Sequence, residues 1–151
     1  MKNHSILLYC KGIDDVLTGS PKVAGIQVQM SFWARTFVKH GWNVYSFTDK
    51  ETRDIEGIHF IKKKDTWLDW HGLSIVQDVA NAFSYLRRTK AGVVFLRGAR
   101  RDLYFLQCAS VFTKTKTVFL GASDKDITSY FYTHHDADMA YDKIIHYLEI
   151  K

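Results

Sequence analysis

A chain of 151 residues, 46% hydrophobic and 25% charged, has the composition of one folded domain that needs no disulfide or metal staple. One proline and nine glycines exclude a low-complexity linker. No apolar run reaches the ~18–20 residues that cross a bilayer, and Ile6–Cys10 before Lys11 is too short for a signal peptide, so a soluble, cytoplasmic protein is expected. Lys and Arg number 21 against 16 Asp and Glu, a net charge of +5 that favours an anionic partner: a phosphorylated substrate, a membrane surface or nucleic acid. Cys10 and Cys108 form no C-x-x-C pair, which sets aside a disulfide framework and a cysteine zinc site. Both flank apolar residues and are expected as small buried hydrophobes.

Apolar periodicity alternates strands with helices. Ile6-Leu7-Leu8-Tyr9-Cys10 is a continuous apolar run, the pattern of a strand covered on both faces. From Gly25, apolar positions at Ile26, Met30, Trp33, Ala34 and Phe37 predict a helix that stops at Lys39-His40-Gly41. Strands follow at Val44–Thr48 and Ile58–Ile61. A second helix over Leu73–Arg88 is expected to bury Val76, Val79, Ala80, Phe83 and Leu86. Val93–Leu96 is the fourth strand, Arg101–Thr113 a helix with a blurred stripe, and Thr117–Leu120 the fifth strand. A last helix is expected over Ala137–Ile150, capped by Asp136 or Asp138. This alternation predicts an α/β fold, a doubly wound, mostly parallel sheet with helices on both faces. Ligands of such sheets bind outside the carboxyl ends of the strands, in the loops Lys11–Ala24, Thr48–Gly57, Arg97–Arg100 and Gly121–His135.

The first of these loops is the longest. Lys11 to Val23 is 13 residues, where 2–6 is usual for a strand-to-helix connection. It carries Gly12, Gly19, Pro21 and Lys22 and delivers Ala24-Gly25 to a helix start, where free amides attract phosphate. Neither the dinucleotide nor the P-loop glycine pattern is present.

The run Pro21–Arg35, continued by Lys39-His40-Gly41-Trp42-Asn43-Val44, resembles the opening of family 4 glycosyltransferases of the GT-B fold. In that family a Gly-Gly loop precedes the helix, and a Lys-x-Gly-His-x-Val turn leads into the second strand. Here Ala24 replaces the first glycine, and Trp42-Asn43 replaces the usual His. The resemblance continues through Gly57–Phe60 and Val93–Gly98 to Phe119–Ile127, which is similar to an Ala-Ser-Asp-x-Asp segment of some bacterial members. It implies that residues 1–151 are a single Rossmann-like domain, the acceptor-side N-terminal half of a two-domain enzyme. The donor half, with a Glu-x7-Glu element, would be absent from this chain, and the chain alone would fold yet transfer nothing. The resemblance implies no cofactor and no metal; a nucleotide sugar is the donor substrate, held mainly by the absent C-terminal domain.

Sugar transfer needs a positioned acceptor hydroxyl, a stabilised leaving diphosphate and, in inverting enzymes, a base. Asp124, after the fifth strand, is the candidate catalytic carboxylate, with Ser123 and Asp126 beside it; the alternative is a solvated loop or a helix cap. Gly19, Lys22, Ala24, Gly25 and Gln27 are the candidate substrate contacts of the first loop. Arg97, Gly98 and Arg100 are those at the end of the fourth strand, where guanidinium groups suit phosphate or carboxylate; solvated charge is the alternative. Lys62-Lys63-Lys64 with Trp67, Trp70 and His71 suits an anionic headgroup surface, aromatic platforms for an acceptor, or a tryptophan pair packed under the next helix. His134-His135-Asp136 reads as a solvated loop, since no second ligand pair stands at helical spacing. Lys and Arg are scattered without a recognition helix, which sets nucleic acid aside.

Two classes therefore compete. The first is the acceptor-binding domain of a glycosyltransferase acting on a glycan or lipid-linked sugar such as a surface polysaccharide precursor, cytoplasmic and peripheral at the inner face of the cell membrane. The second is a stand-alone ligand-binding or regulatory module of flavodoxin-like type.

Overall fold

The computed structural model describes residues 4–51, 53–64, 73–97 and 102–120. In chain order the elements are β1 (Ser5–Lys11), α1 (Ile13–Leu17), α2 (Gly25–Lys39), β2 (Asn43–Thr48), β3 (Ile58–Lys62), α3 (Leu73–Thr89), β4 (Val93–Arg97), α4 (Asp102–Thr113) and β5 (Lys116–Leu120). The strands form one sheet in the order β3-β2-β1-β4-β5. Every pairing is parallel, with Ile6, Leu7 and Leu8 of β1 opposite Val93, Val94 and Phe95 of β4. The predicted α/β architecture is the one observed.

The continuous apolar runs bury both faces of the sheet, because successive side chains alternate sides. Ile6, Leu8, Val44, Ile58, Val93 and Phe95 pack with Met30, Trp33, Ala34 and Phe37 of α2. Leu7, Phe47, Ile61, Val94 and Leu96 pack on the other side with Ala82, Tyr85 and Leu86 of α3 and Phe105, Leu106 and Ala109 of α4. α2 ends where the sequence placed its stop. Gly41 takes φ +79°, its amide donates to Val38 O (2.9 Å), and the Trp42 amide donates to Phe37 O (3.0 Å). The Trp42 ring then meets Phe37 edge-on at 5.2 Å, the apolar contact that accompanies this type of helix end.

Three expectations are corrected. The long first loop contains α1, five residues whose Asp14 is buried because its carboxylate accepts the Thr48 hydroxyl at 2.7 Å. On α3, Leu86 is buried and Val79 and Phe83 pack partly buried on the core as expected, but Val76 is 64% exposed and Ala80 is exposed, while Ala82, Tyr85 and Thr89 are buried. Tyr85 turns the helix this way: its ring packs on Phe47 at 4.8 Å and its hydroxyl accepts the Lys64 amide at 2.7 Å. Cys108 is exposed, about 100° around α4 from the stripe of Phe105, Leu106 and Ala109, and Cys10 is half-buried. The expected helix over Ala137–Ile150 lies outside the described residues.

An ion pair ties the β2–β3 connection to α2. Glu56 (φ +51°) and Gly57 (φ +78°) form a tight turn in which Ile55 and Ile58 exchange both backbone hydrogen bonds. Arg35 grips Glu56 through Nε to Oε2 (2.6 Å) and Nη2 to Oε1 (3.1 Å). That hydrogen bond, with the guanidinium charge, holds the Glu56 carboxyl below its usual range and the Arg35 guanidinium above its own. A depressed carboxyl adds stability that is complete above its unfolded pKa of about 4.3 and is lost as pH falls through the lower folded value. Both partners are largely exposed, so the contribution is at most about 1 kcal/mol. Chemical denaturation of the wild type and Arg35→Met should therefore differ at neutral pH, with a gap that begins to shrink below about pH 4.3 and closes in stronger acid; a gap that persists in strong acid contradicts the assignment.

Candidate functional site

From β1 the chain moves outward to β2 and β3, then crosses back through α3 to β4 on the other side of β1. The strand order therefore reverses between β1 and β4, and ligands of such sheets bind at the carboxyl ends of the strands at that point. A cleft of about 200 Å³ lies there, lined by Tyr9, Cys10 and Lys11 of β1, by Ala24, Ile26, Gln27 and Met30 at the start of α2, and by Arg97 of β4.

Gln27 builds this corner. Its Oε1 accepts the Ala24 amide at 2.7 Å and its Nε2 donates to Lys11 O at 3.2 Å, joining the start of α2 to the end of β1. Ala24 has no side-chain acceptor, so only this half of a capping box forms. Gly12 makes the arrangement fit. It has φ +83°, and a Cβ there would fall 2.1 Å from Gln27 Nε2. The Gln27 and Val28 amides bond Ala24 O, which leaves the Gly25 and Ile26 amides as the first-turn donors without an intrahelical carbonyl. Among the described residues, nothing outside Gly25's own helix and chain neighbours lies within 4 Å of the position a Gly25 Cβ would take.

Beside the cleft the ends of β1 and β2 carry interlocked charges. Lys11 pairs with Asp49, and Lys50 Nζ pairs with Asp15 Oδ1 at 2.9 Å. The hydrogen bond to Asp15 holds the Lys50 ammonium above the usual lysine range. Thr48 Oγ1, which donates to Asp14, also accepts the Lys50 amide at 3.1 Å. With Lys11 neutralised by Asp49, the positive potential of the cleft comes from Arg97 and the helix amides. Among the described residues no ion pair holds Arg97. A guanidinium that shares a cleft with the start of a helix is suited to a phosphate or carboxylate.

Of the sequence-predicted residues, Ala24, Gln27 and Arg97 meet in this cleft and Gly25 stands at its edge. Gly19 and Lys22 are exposed on the α1–α2 connection and do not line it. The Gly19 amide instead closes α1 on Val16 O at 3.2 Å. Gly98, Arg100, Ser123, Asp124 and Asp126 lie outside the described residues, as do Trp67, Trp70, His71 and the His134-His135-Asp136 segment. Lys63 is engaged within the fold, its Nζ 5.1 Å from the centre of the Tyr9 ring. Tyr9, Cys10, Lys11 and Gly12 were missed as site residues, although a glycine directly after an apolar strand was a legible signal for the turn. Among the described residues no group of three or more His, Cys, Asp or Glu could hold a metal ion, and no helix is long and apolar enough to cross a membrane.

No protein-family model matches the sequence, and no curated protein sequence matches it. Among solved structures, a glycosyltransferase from Rickettsia africae is similar at a TM-score of 0.56 and 14% identity, over 79% of this chain and 30% of that one. The C-terminal domain of a hydrogenase from Pyrococcus furiosus (TM-score 0.49, 13% identity, 79% of this chain and 92% of that one) is more distant. So is a UDP-GlcNAc 2-epimerase from Methanocaldococcus jannaschii (TM-score 0.48, 13% identity, 89% of this chain and 36% of that one). The chain thus has a Rossmann-like fold of the kind found in a glycosyltransferase, and it spans 30% of that enzyme's length.

Proposed function

We propose that the chain is the acceptor-binding, N-terminal domain of a family 4-type glycosyltransferase, which moves a sugar from a nucleotide-sugar donor to a glycan or lipid-linked acceptor. The observation that carries this reading is the cleft between β1 and β4, which Arg97 and Ile26 line, with Gly25 as the first residue of the helix at its edge. Lipid-linked sugars present a phosphate next to their sugar hydroxyls. That phosphate would sit on Arg97 and the α2 amides, with Gln27 holding the corner in shape. At about 200 Å³ the cleft is smaller than the ~300 Å³ at which complete small-molecule pockets begin, as suits a site closed by a second domain carrying the nucleotide sugar. Within this reading Asp124, with Ser123 and Asp126, addresses the acceptor hydroxyl, and the protein works at the inner face of the cell membrane.

Cys10 reports on the cleft directly, being half-buried in its wall while Cys108 is exposed on α4. In a Cys108→Ser background, a hexose 1-phosphate is expected to slow maleimide labelling of Cys10 severalfold, and the neutral hexose much less. Labelling unchanged by either compound, or slowed equally by both, contradicts an anion-recognising cleft here.

A further inference from the structure

The opposite end of the sheet carries a second constellation, unconnected with sugar transfer. Between the C-terminal ends of α3 and α4 lies a cleft of about 500 Å³. Its apolar walls include Phe83, Leu86 and Phe112, and its cations are Arg87, Lys90 and Lys114; no carboxylate is among the described lining residues. Phe112 and its neighbour Val111 are each 77% exposed, an anomaly for large apolar side chains standing together. The Arg87 guanidinium lies 5.7 Å from the centre of the Phe83 ring.

The two lysines are the sharper sign. Lys90 (φ +50°) and Lys114 (φ +56°) follow the last residues of α3 and α4 in the left-handed region, where glycine is the low-strain choice. The third such residue, Glu56, is explained by its grip on Arg35. A lysine could be retained to serve the last helix carbonyls, but threonines already do this. Thr89 Oγ1 reaches Leu86 O at 3.4 Å, and Thr113 Oγ1 reaches Ser110 O at 3.4 Å. Among the described residues no ion pair or hydrogen bond holds either lysine side chain. Two helices thus end in the same Thr-Lys pair, and both strained lysines line one apolar hollow.

We infer that this cleft docks an acidic segment of a partner protein, seating a bulky apolar side chain against Phe83, Leu86 and Phe112 while carboxylates meet Arg87, Lys90 and Lys114. Charge complementarity fixes the sign of the partner, and concavity favours a side chain over a flat bilayer. A bilayer here would also hold the β1–β4 cleft away from its surface, since Gly92 at one end and Arg97 at the other are roughly 17 Å apart along β4.

The test uses the whole chain and a fluorescent peptide with Leu-Trp set between runs of glutamate, its lysine-flanked counterpart, and phosphatidylserine vesicles. The wild type is expected to bind the glutamate peptide at low salt and not the lysine one. The double variant Lys90→Gly/Lys114→Gly should lose about tenfold in affinity while its Tm rises by about 2–4 °C, because strain is relieved. Phe112→Ser should also weaken binding. Equal affinity for both peptides, undiminished binding by the double variant, binding of vesicles only, or a lowered Tm in the glycine variant would each overturn the inference.

Discussion

Replacing Phe95 by alanine is expected to cost about 3–5 kcal/mol and to lower Tm by roughly 10–15 °C. Phe95 is fully buried on β4 and sets its ring at a tilt to Trp33 at 5.0 Å and edge-on to Phe37 at 6.2 Å, so it joins the sheet to α2. Truncation removes the transfer free energy of the ring and opens a cavity that two large aromatic neighbours cannot close without leaving their rotamers. A domain stable by about 5–15 kcal/mol would lose a large share of its margin. Phe112→Ser, on an exposed ring, should leave the denaturation midpoint almost unmoved. Urea titrations with a common m-value check both at once; similar midpoints for the two variants would contradict the packing described.

Arg97→Glu is expected to weaken binding of an anionic acceptor by about ten- to a hundredfold, since hydrogen bonds from a charged group contribute about 1.5–3 kcal/mol. The reversed charge would also oppose the dipole end of α2, a second penalty for phosphate in the same hollow. The fold should hold, because Arg97 ends its strand half-buried and no ion pair holds it among the described residues. Calorimetric titration of the chain with a hexose 1-phosphate, wild type beside variant, gives the comparison. Undiminished affinity would remove Arg97 from the site.

How far these features could be read in advance follows from what each residue does. Strands such as Val93–Leu96 were legible because burial on both faces leaves an uninterrupted apolar run, and α2 because Met30, Trp33, Ala34 and Phe37 repeat at helical spacing. α1 was not legible: five residues show no period, and Asp14-Asp15 read as loop although Asp14 is buried on Thr48. The face of α3 was half legible: Val79, Phe83 and Leu86 pack on the core, but Tyr85 and Thr89 are buried through their hydrogen bonds as well as their apolar atoms, which a count of aliphatic positions overlooks. The candidate site was half visible. Ala24, Gln27 and Arg97 stand in loops that any α/β reading inspects, but that Arg97 lies beside Cys10 depends on strand order. Only the crossover from β3 back past β1 places β4 there.

The most direct measurement is an amide NMR titration of the chain with an isoprenoid-linked sugar phosphate, run beside UDP. The account predicts shifts concentrated at Lys11, Gly25, Ile26, Gln27 and Arg97 with the sugar phosphate and much weaker ones with UDP. Shifts centred elsewhere, or a stronger response to UDP at the same amides, would contradict an acceptor site between β1 and β4.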